Sequence, residues 1–209
     1  MPLAIGRILR NWHALRRHCA SERLKARHGR QRFRALTEGE VAMAAQLFGD
    51  AIDYRKVRIY NRRYLPFGLQ PRNCAMSPNG AIYFHHSCCL VDFSTGTEGA
   101  RHWFMHEMVH VWQHQLGYPV RLRGAVRIGL SYRYVLAPGK TLADYNMEAQ
   151  GDLLADYFAL KYMGSAASMR QPRHATQLAL FEHVLDRFIQ APGDRGNLPR
   201  MRLRLLPST

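Results

Sequence analysis

The sequence predicts an α+β fold in which a small sheet packs against several helices. Two short runs rich in β-branched and aromatic residues, VRIY at 57–60 and AIYF at 81–84, have turn-forming residues between them and favour strands. Three long segments in the second half of the chain carry helical start and stop signals, at about 97–115, 143–163 and 173–190. With 47% hydrophobic and 22% charged residues, the 209-residue chain has the composition of a folded protein rather than of a disordered or fibrous one.

The chain is strongly basic, and most of the excess charge lies at its N-terminus. It has 30 Lys and Arg against 15 Asp and Glu, a formal net charge of +15. Residues 1–36 hold ten of the basic residues and a single acid, Glu22. We therefore predict a basic amphipathic N-terminal segment at 1–36, a main domain at 37–192 and a basic C-terminal tail at 193–209. Charge clustered in a tail, without aromatic or groove-reading motifs, argues against specific nucleic-acid recognition.

The first 19 residues have the spacing of an amphipathic helix. Apolar side chains recur three or four residues apart, with arginines and histidines between them, at Ile5, Ile8, Leu9, Trp12, Leu15 and Cys19. Such a helix either docks onto an anionic surface or an acidic partner, or packs against the main domain. Both interpretations stay open at the level of sequence.

Neither a membrane span nor a disulfide framework is predicted. The longest apolar runs fall short of the ~18 residues that a span needs, and arginines interrupt the N-terminal apolar residues where a signal peptide would have its core. The four cysteines, Cys19, Cys74, Cys88 and Cys89, include no CxxC pair. We therefore expect a protein made in the cytoplasm with reduced thiols and without export by the general secretory route.

Helix signals frame the two predicted strands. Thr37 followed by Glu40 resembles a capping box, and it opens a helix that ends before Gly49. Residues 20–36 are interpreted as a linker before this helix. After the strands, Thr97 can cap a helix that runs to about Gln115, because Gly117 and Pro119 lie just beyond its end.

The motif with the clearest chemistry is HEMVH, in the middle of that long helix. His106 and His110 are four residues apart, so both imidazoles project from one helix face and can reach one zinc ion at ~2.0–2.1 Å. Glu107 then lies beside the remaining coordination position. From there its carboxylate can take a proton from a water molecule that the metal activates and pass it to a leaving amine.

A catalytic zinc needs a third protein ligand, and the best candidate is Glu148 on the next helix. Asp152 stands one turn later on the same face, where it can accept a hydrogen bond from the second ring nitrogen of a ligand histidine. The alternative for both acids is a solvated helix stripe, but their apolar neighbours favour burial. Asp156 continues the stripe, either as a further acceptor or as a surface charge.

Two other groups of metal-binding residue types are weaker candidates. His102 and His114 extend the histidine ladder, but each step of four residues drifts by about 40° around a helix, so the outer two diverge from a single ion. The run His85-His86-Ser87-Cys88-Cys89 is dense in soft ligands. Adjacent residues of a strand face opposite ways, so a tetrahedral site is difficult to build from it.

These residues resemble a compact gluzincin, a zinc metallopeptidase in which a glutamate on a later helix completes the HExxH site. The runs MSPNGAIYF and HEMVHVWQHQLG are similar to the metallopeptidase-like core domain of extracellular contractile injection systems. The runs AIDYRKVRIY, RRYLPF and DYNMEAQGDLLADYF also resemble small bacterial proteins called Vgr-related or Rhs-associated, a label linked to type VI secretion. The resemblance covers residues 37–163 and leaves out the basic segment.

The resemblance implies a minimal zincin-like fold, with a peptide or protein substrate paired along the edge strand Ala81 to Phe84. It also implies an oxyanion donor opposite Glu107, for which Tyr145, Tyr132 and Tyr134 are the candidates and Tyr145 is our choice. A type VI route of secretion would follow, with residues 1–36 contacting the apparatus or an anionic surface. The alternative function is a non-catalytic adaptor in which zinc stabilises the fold.

Overall fold

A computed structural model describes residues 33–67, 69–126 and 129–200 of the chain. The amphipathic helix predicted at 3–19 and the last nine residues of the predicted C-terminal tail lie outside this part. The described residues form one three-stranded sheet and five α-helices, so the predicted α+β class is confirmed. None of these helices has the length and hydropathy to cross a bilayer.

The sheet consists of strands β1 (Phe33–Arg34), β2 (Ile59–Asn61) and β3 (Ile82–Phe84), in that spatial order. β1 is antiparallel to β2, and β2 is parallel to β3. The two strands predicted at 57–60 and 81–84 are present with slightly shifted ends. Strand β1 was not predicted, because its residues were assigned to the basic N-terminal segment 1–36.

An ion pair with a buried acid explains why β1 belongs to the folded unit. The Arg34 guanidinium donates two hydrogen bonds of 2.7 Å to the Glu40 carboxylate, which is fully buried. Glu40 also accepts from the backbone N–H groups of Thr37 and Phe93, both at 2.9 Å. The predicted capping box is confirmed, and its acid also ties strand and helix together.

The helices are α1 (Glu38–Phe48), α2 (Glu98–Gln115), α3 (Val120–Val126), α4 (Met147–Tyr162) and α5 (Leu178–Gln190). The last two begin later than predicted, because short 3₁₀ turns at Leu142–Asp144 and Pro172–His174 precede them. α3 was not predicted at all, since it is only seven residues long and most of its surface is exposed.

α2 is the central helix of the core. Trp112 of α2 is fully buried, and its ring lies 6.2 Å from that of Phe48 on α1 and 5.4 Å from that of Phe188 on α5. Its indole N–H donates to the carbonyl of Pro192 at 2.8 Å. α4 packs along another face of α2, which brings their polar residues together in the interior.

Residues 193–200, the first part of the predicted basic tail 193–209, are held against the domain. Asn197, in the turn Arg195–Asn197, is buried, and the N–H of Arg200 donates to the carbonyl of Ala143 at 3.0 Å. The arginine side chain forms an ion pair with Asp144. This segment covers the start of α4, so its order follows from contacts that composition does not reveal.

Candidate metal centre

Matched ladders of histidines and acids face each other across α2 and α4. Residues four apart share one face of a helix, and the two helices run antiparallel, so each histidine meets an acid. The rungs are His102–Asp156, His106–Asp152 and His110–Glu148, with nitrogen–oxygen distances of 2.7, 2.8 and 3.2 Å. The candidate metal ligands lie at one end of this ladder.

His106, His110 and Glu148 form the only group of three or more potential metal ligands among residues 33–67, 69–126 and 129–200. Their ligand atoms form a triangle: 3.2 Å between the two Nε2 atoms, and 3.2 and 3.5 Å from these to Glu148 Oε2. Ligands ~2.05 Å from a tetrahedral zinc lie about 3.3 Å apart, so this donor set fits the ion. The structure therefore brings together the three residues that the sequence predicted as metal ligands.

Both histidines are oriented through their second ring nitrogen. His106 Nδ1 lies 2.8 Å from Asp152 Oδ1, the partner that the sequence analysis proposed. His110 Nδ1 lies 2.9 Å from Oε1 of Gln113, which that analysis quoted only as part of a motif. Because each partner oxygen accepts, each Nδ1 carries a proton, and Nε2 is left in each ring as the atom that can bind a metal ion.

Gly151 makes room for His106, a role that the sequence analysis missed. A Cβ atom at this position would lie 2.6, 2.8 and 3.0 Å from Cε1, Nδ1 and Nε2 of the His106 ring. Glycine inside a helix costs about 0.5–1 kcal/mol relative to alanine. The signal in the sequence was a glycine next to Asp152, inside a segment otherwise made of residues that favour a helix.

Glu107 is buried and held by a second residue that sequence reasoning passed over. Ser77 Oγ donates to Glu107 Oε2 at 2.7 Å, and both residues are buried. In the sequence, Ser77 is one of the turn-forming residues between the two predicted strands, which gives no hint of a contact 30 residues away. The hydrogen bond fixes one carboxylate oxygen and thereby the orientation of the group.

The electrostatics of the triangle favour a cation. Burial alone would lower the pKa of His106, but the carboxylates of Asp152 and Glu148 raise it to about 10. Burial would also lower the pKa of His110, but the carboxylates of Glu148 and Glu107 together raise it. Burial would raise the pKa of Glu148, yet the neighbouring histidines lower it well below its ordinary value. The carboxylates around the triangle therefore stabilise positive charge within it, whether protonated histidines or a bound metal ion carry that charge.

A cavity of about 420 Å³ opens beside the ladder. His106, Glu107 and Asp152 line it, together with Tyr132, whose ring stacks 6.0 Å from that of His106. Tyr145, our choice for the oxyanion donor, is buried elsewhere and donates its hydroxyl proton to the carbonyl of Val135 at 2.9 Å. Of the three candidate tyrosines, Tyr132 is the one in the cavity wall.

The His102–Asp156 rung is a structural anchor. Asp156 is fully buried, and besides His102 it accepts hydrogen bonds from the Tyr134 hydroxyl at 2.6 Å and from the N–H groups of Arg170 and Gln171 at 2.7 and 3.0 Å. Burial and the Asp156 charge raise the pKa of Tyr134 well above its ordinary value. Asp156 is therefore a buried acceptor and not the surface charge that was its alternative.

The outer edge of β3 is covered at its centre. Met76 and Tyr83 exchange two backbone hydrogen bonds of 3.2 and 2.9 Å in an antiparallel bridge. A peptide therefore could not pair with β3 at Tyr83 as the predicted substrate strand Ala81 to Phe84 requires. In such a pair the flanking residues turn their N–H and C=O groups away from the partner strand, so Ala75 and Ser77 form the outer edge, although both residues are largely buried.

The fold and site together define an α+β protein with a His-His-Glu triad between two core helices. No family model matches the sequence. A solved structure, the effector domain of Pseudomonas aeruginosa VgrG2b, is similar with a TM-score of 0.58 and 40% sequence identity, over 76% of this chain and 92% of that chain. The chain belongs to the family of this effector domain.

The corresponding full-length protein is a type VI secretion system spike protein, VgrG2b of P. aeruginosa. It is 46% identical over 135 residues, which are 61% of this chain and 13% of VgrG2b. The chain thus spans about an eighth of the length of that relative. The resemblance to Vgr-related proteins is confirmed at the level of this family.

Proposed function

We propose that the chain is a zinc-dependent peptidase or amide hydrolase that acts as a type VI secretion effector. The observation that carries the proposal is the ligand triangle, with edges of 3.2, 3.2 and 3.5 Å, next to the buried carboxylate of Glu107. Two nitrogens and one carboxylate oxygen form a donor set that zinc accepts readily.

The number of ligands favours catalysis over a purely structural zinc. Structural zinc sites use four protein ligands, whereas catalytic sites use three and leave one position open. Within the described part of the chain, no fourth His, Cys, Asp or Glu joins the triangle. The adjoining cavity of about 420 Å³ gives a substrate access to His106 and Glu107.

Each residue then has a distinct task. His106, His110 and Glu148 would hold the zinc, with Asp152 orienting His106. When bound, zinc supplies a Lewis acid that activates water and polarises a carbonyl group. Glu107 accepts the proton and delivers it to the leaving amine, and Ser77 holds the carboxylate in place for both transfers.

A peptide substrate fits best along the outer edge formed by Ala75 and Ser77. This edge adjoins the cavity, which Ala75 lines, and main-chain pairing there would bring a carbonyl group towards Glu107. A photoreactive peptide inhibitor should therefore cross-link to residues 75–77. Cross-links confined to residues 82–84 would refute this placement.

Glu107→Gln tests the catalytic role. The amide has nearly the same shape but cannot accept a proton, so we expect unchanged zinc content and loss of peptide hydrolysis by at least about a hundredfold. Zinc is measured by elemental analysis, and hydrolysis with a library of quenched fluorescent peptides. Glu182→Gln is the control, because this acid lies on α5 and pairs with Lys161 away from the cavity. Equal hydrolysis by the wild type and Glu107→Gln would exclude the mechanism.

Family membership motivates the second half of the proposal, which is delivery by a type VI apparatus. The basic segment 1–36 is the proposed contact with the apparatus or with an anionic surface. Release of the protein from the producing bacterium should then stop when the contractile sheath is deleted. Release that is independent of the sheath would contradict this route.

A further inference from the structure

A chain of two buried glutamine side chains leads from His110 to the C-terminal segment of the domain. Gln113 of α2 and Gln150 of α4 are both fully buried. Gln113 Nε2 lies 2.9 Å from Gln150 Oε1, and Gln113 Oε1 lies 2.9 Å from His110 Nδ1. Neither glutamine is needed for the chemistry proposed above, so their burial requires another explanation.

The backbone carbonyls that contact Gln150 determine which atom is the donor in each hydrogen bond between Gln150, Gln113 and His110. Gln150 Nε2 donates to the carbonyls of Leu142 and Asn197, at 2.8 and 2.9 Å. Carbonyl oxygens only accept, so Gln150 must present its nitrogen to them and its oxygen to Gln113.

The same reasoning applies to the next link. Gln113 must present its Nε2 to the oxygen of Gln150, and its second donor bond goes to the carbonyl of Met147 at 3.2 Å. Its Oε1 is therefore left for His110, whose Nδ1 must be the donor. In the neutral imidazole, Nε2 of His110 is then the unprotonated nitrogen, and it faces the triangle.

We propose that the Gln113–Gln150 pair is a positioning relay in which backbone carbonyls of Leu142, Met147 and Asn197 dictate the tautomer of His110. The inference rests on the proposed metal site and assigns it two residues that do not touch the metal. It also explains why His110 uses a neutral amide where His106 uses the Asp152 carboxylate. A buried amide with all donors committed cannot rotate, so it imposes one tautomer without adding a charge.

The test compares zinc affinity in three variants, measured by competition with a chromophoric chelator. Gln113→Met keeps the size of the side chain and removes the acceptor, so zinc affinity should fall about 10- to 100-fold. Gln150→Met should lower the affinity less, because Gln113 remains but can rotate. The double variant should bind zinc like Gln113→Met alone, because Gln150 acts through Gln113.

Gln70→Met is the matched control. Gln70 is also fully buried, and its amide bonds to backbone groups of Tyr64, Cys74 and Tyr83 without contacting a histidine. This variant should lower the unfolding temperature and leave zinc affinity unchanged. Wild-type affinity in Gln113→Met, or additive losses in the double variant, would overturn the relay.

A second measurement covers the case in which Gln113→Met does not fold. In the zinc-loaded wild type with ¹⁵N-labelled histidine, the Nδ1 proton of His110 should exchange slowly with solvent and show a coupling to a buried acceptor. Fast exchange of that proton would overturn the relay. A wild-type chain that binds zinc but cleaves no peptide would count against the proposed function and leave the relay standing.

Discussion

At the scale of single residues, the candidate site depends on small and neutral residues as much as on the three proposed metal ligands. His106 can approach Glu148 only because Gly151 has no side chain. Glu107 keeps one orientation because Ser77 donates to it. These contacts lie between residues far apart in sequence, so the ligands are recognisable from a motif while the residues that position them are not.

Gly151→Ala should weaken zinc binding by at least about tenfold, because the added methyl group would overlap the His106 ring and a misplaced ligand loses its bond geometry. Zinc affinity and the unfolding temperature are both measured. Gly99→Ala is the control in the other helix, since a Cβ there meets no atom within 4 Å.

The control variant should bind zinc normally and be equally stable or more stable by about 0.5–1 kcal/mol, because alanine favours the helix. Normal zinc affinity in Gly151→Ala would show that His106 can move aside without cost, and the steric argument would fail.

At the scale of secondary-structure elements, the sequence correctly predicts the features that depend only on neighbouring residues. The caps Thr37 and Thr97 are confirmed, because capping depends on residues within one turn. The strand β1 and the helix α3 were missed, because the first depends on pairing with β2 and the second is too short to show a period. The starts of α4 and α5 were placed too early, where 3₁₀ turns precede the helices.

The candidate site also combines features that local sequence determines with features that depend on packing. HEMVH and the acids on the next helix could be found because each ligand set repeats at helical spacing. Their register across α2 and α4 could not, since it follows from how the two helices pack. For the same reason, nothing local to the predicted strand at 81–84 indicates that Met76 pairs with Tyr83 and covers its outer edge.

The cap of α4 provides a test of how an element positions a ligand. The Asn146 side chain accepts from the N–H groups of Glu148 and Ala149 at 3.0 and 3.2 Å, so it fixes the turn that carries the third proposed ligand. Asn146→Ala should cost about 1 kcal/mol of stability and lower zinc affinity roughly fivefold. Both quantities are obtained from thermal unfolding with and without zinc.

Thr97→Ala removes the cap of α2 and serves as the comparison. Its hydroxyl accepts from Ala100 at 3.3 Å, more than two turns before His106. It should cost a similar amount of stability but leave zinc affinity unchanged. If both variants weakened zinc binding equally, the effect would reflect general destabilisation rather than the local position of Glu148.

At the scale of the whole molecule, the distribution of acids is the informative feature. The chain has a net charge of +15 and only 15 acids, yet four of them lie on the ladder or beside it: Glu107, Glu148, Asp152 and Asp156. A basic protein therefore keeps a local negative potential in its interior. Such a concentration of buried acids requires a cation or protonated histidines to balance it.

Zinc should consequently stabilise the entire domain, because it would join α2 to α4 across the centre of the core. At a free concentration of 100 times Kd, a ligand that binds only the folded state adds about 2.7 kcal/mol, which for a chain of this size raises the unfolding temperature by roughly 5–10 °C. EDTA should reverse the shift, and magnesium should not reproduce it, since that ion prefers six oxygen ligands. His110→Ala removes one ligand from the triangle and should abolish most of the shift. The same rise in unfolding temperature in His110→Ala would place the zinc elsewhere on the chain and refute the site between the two helices.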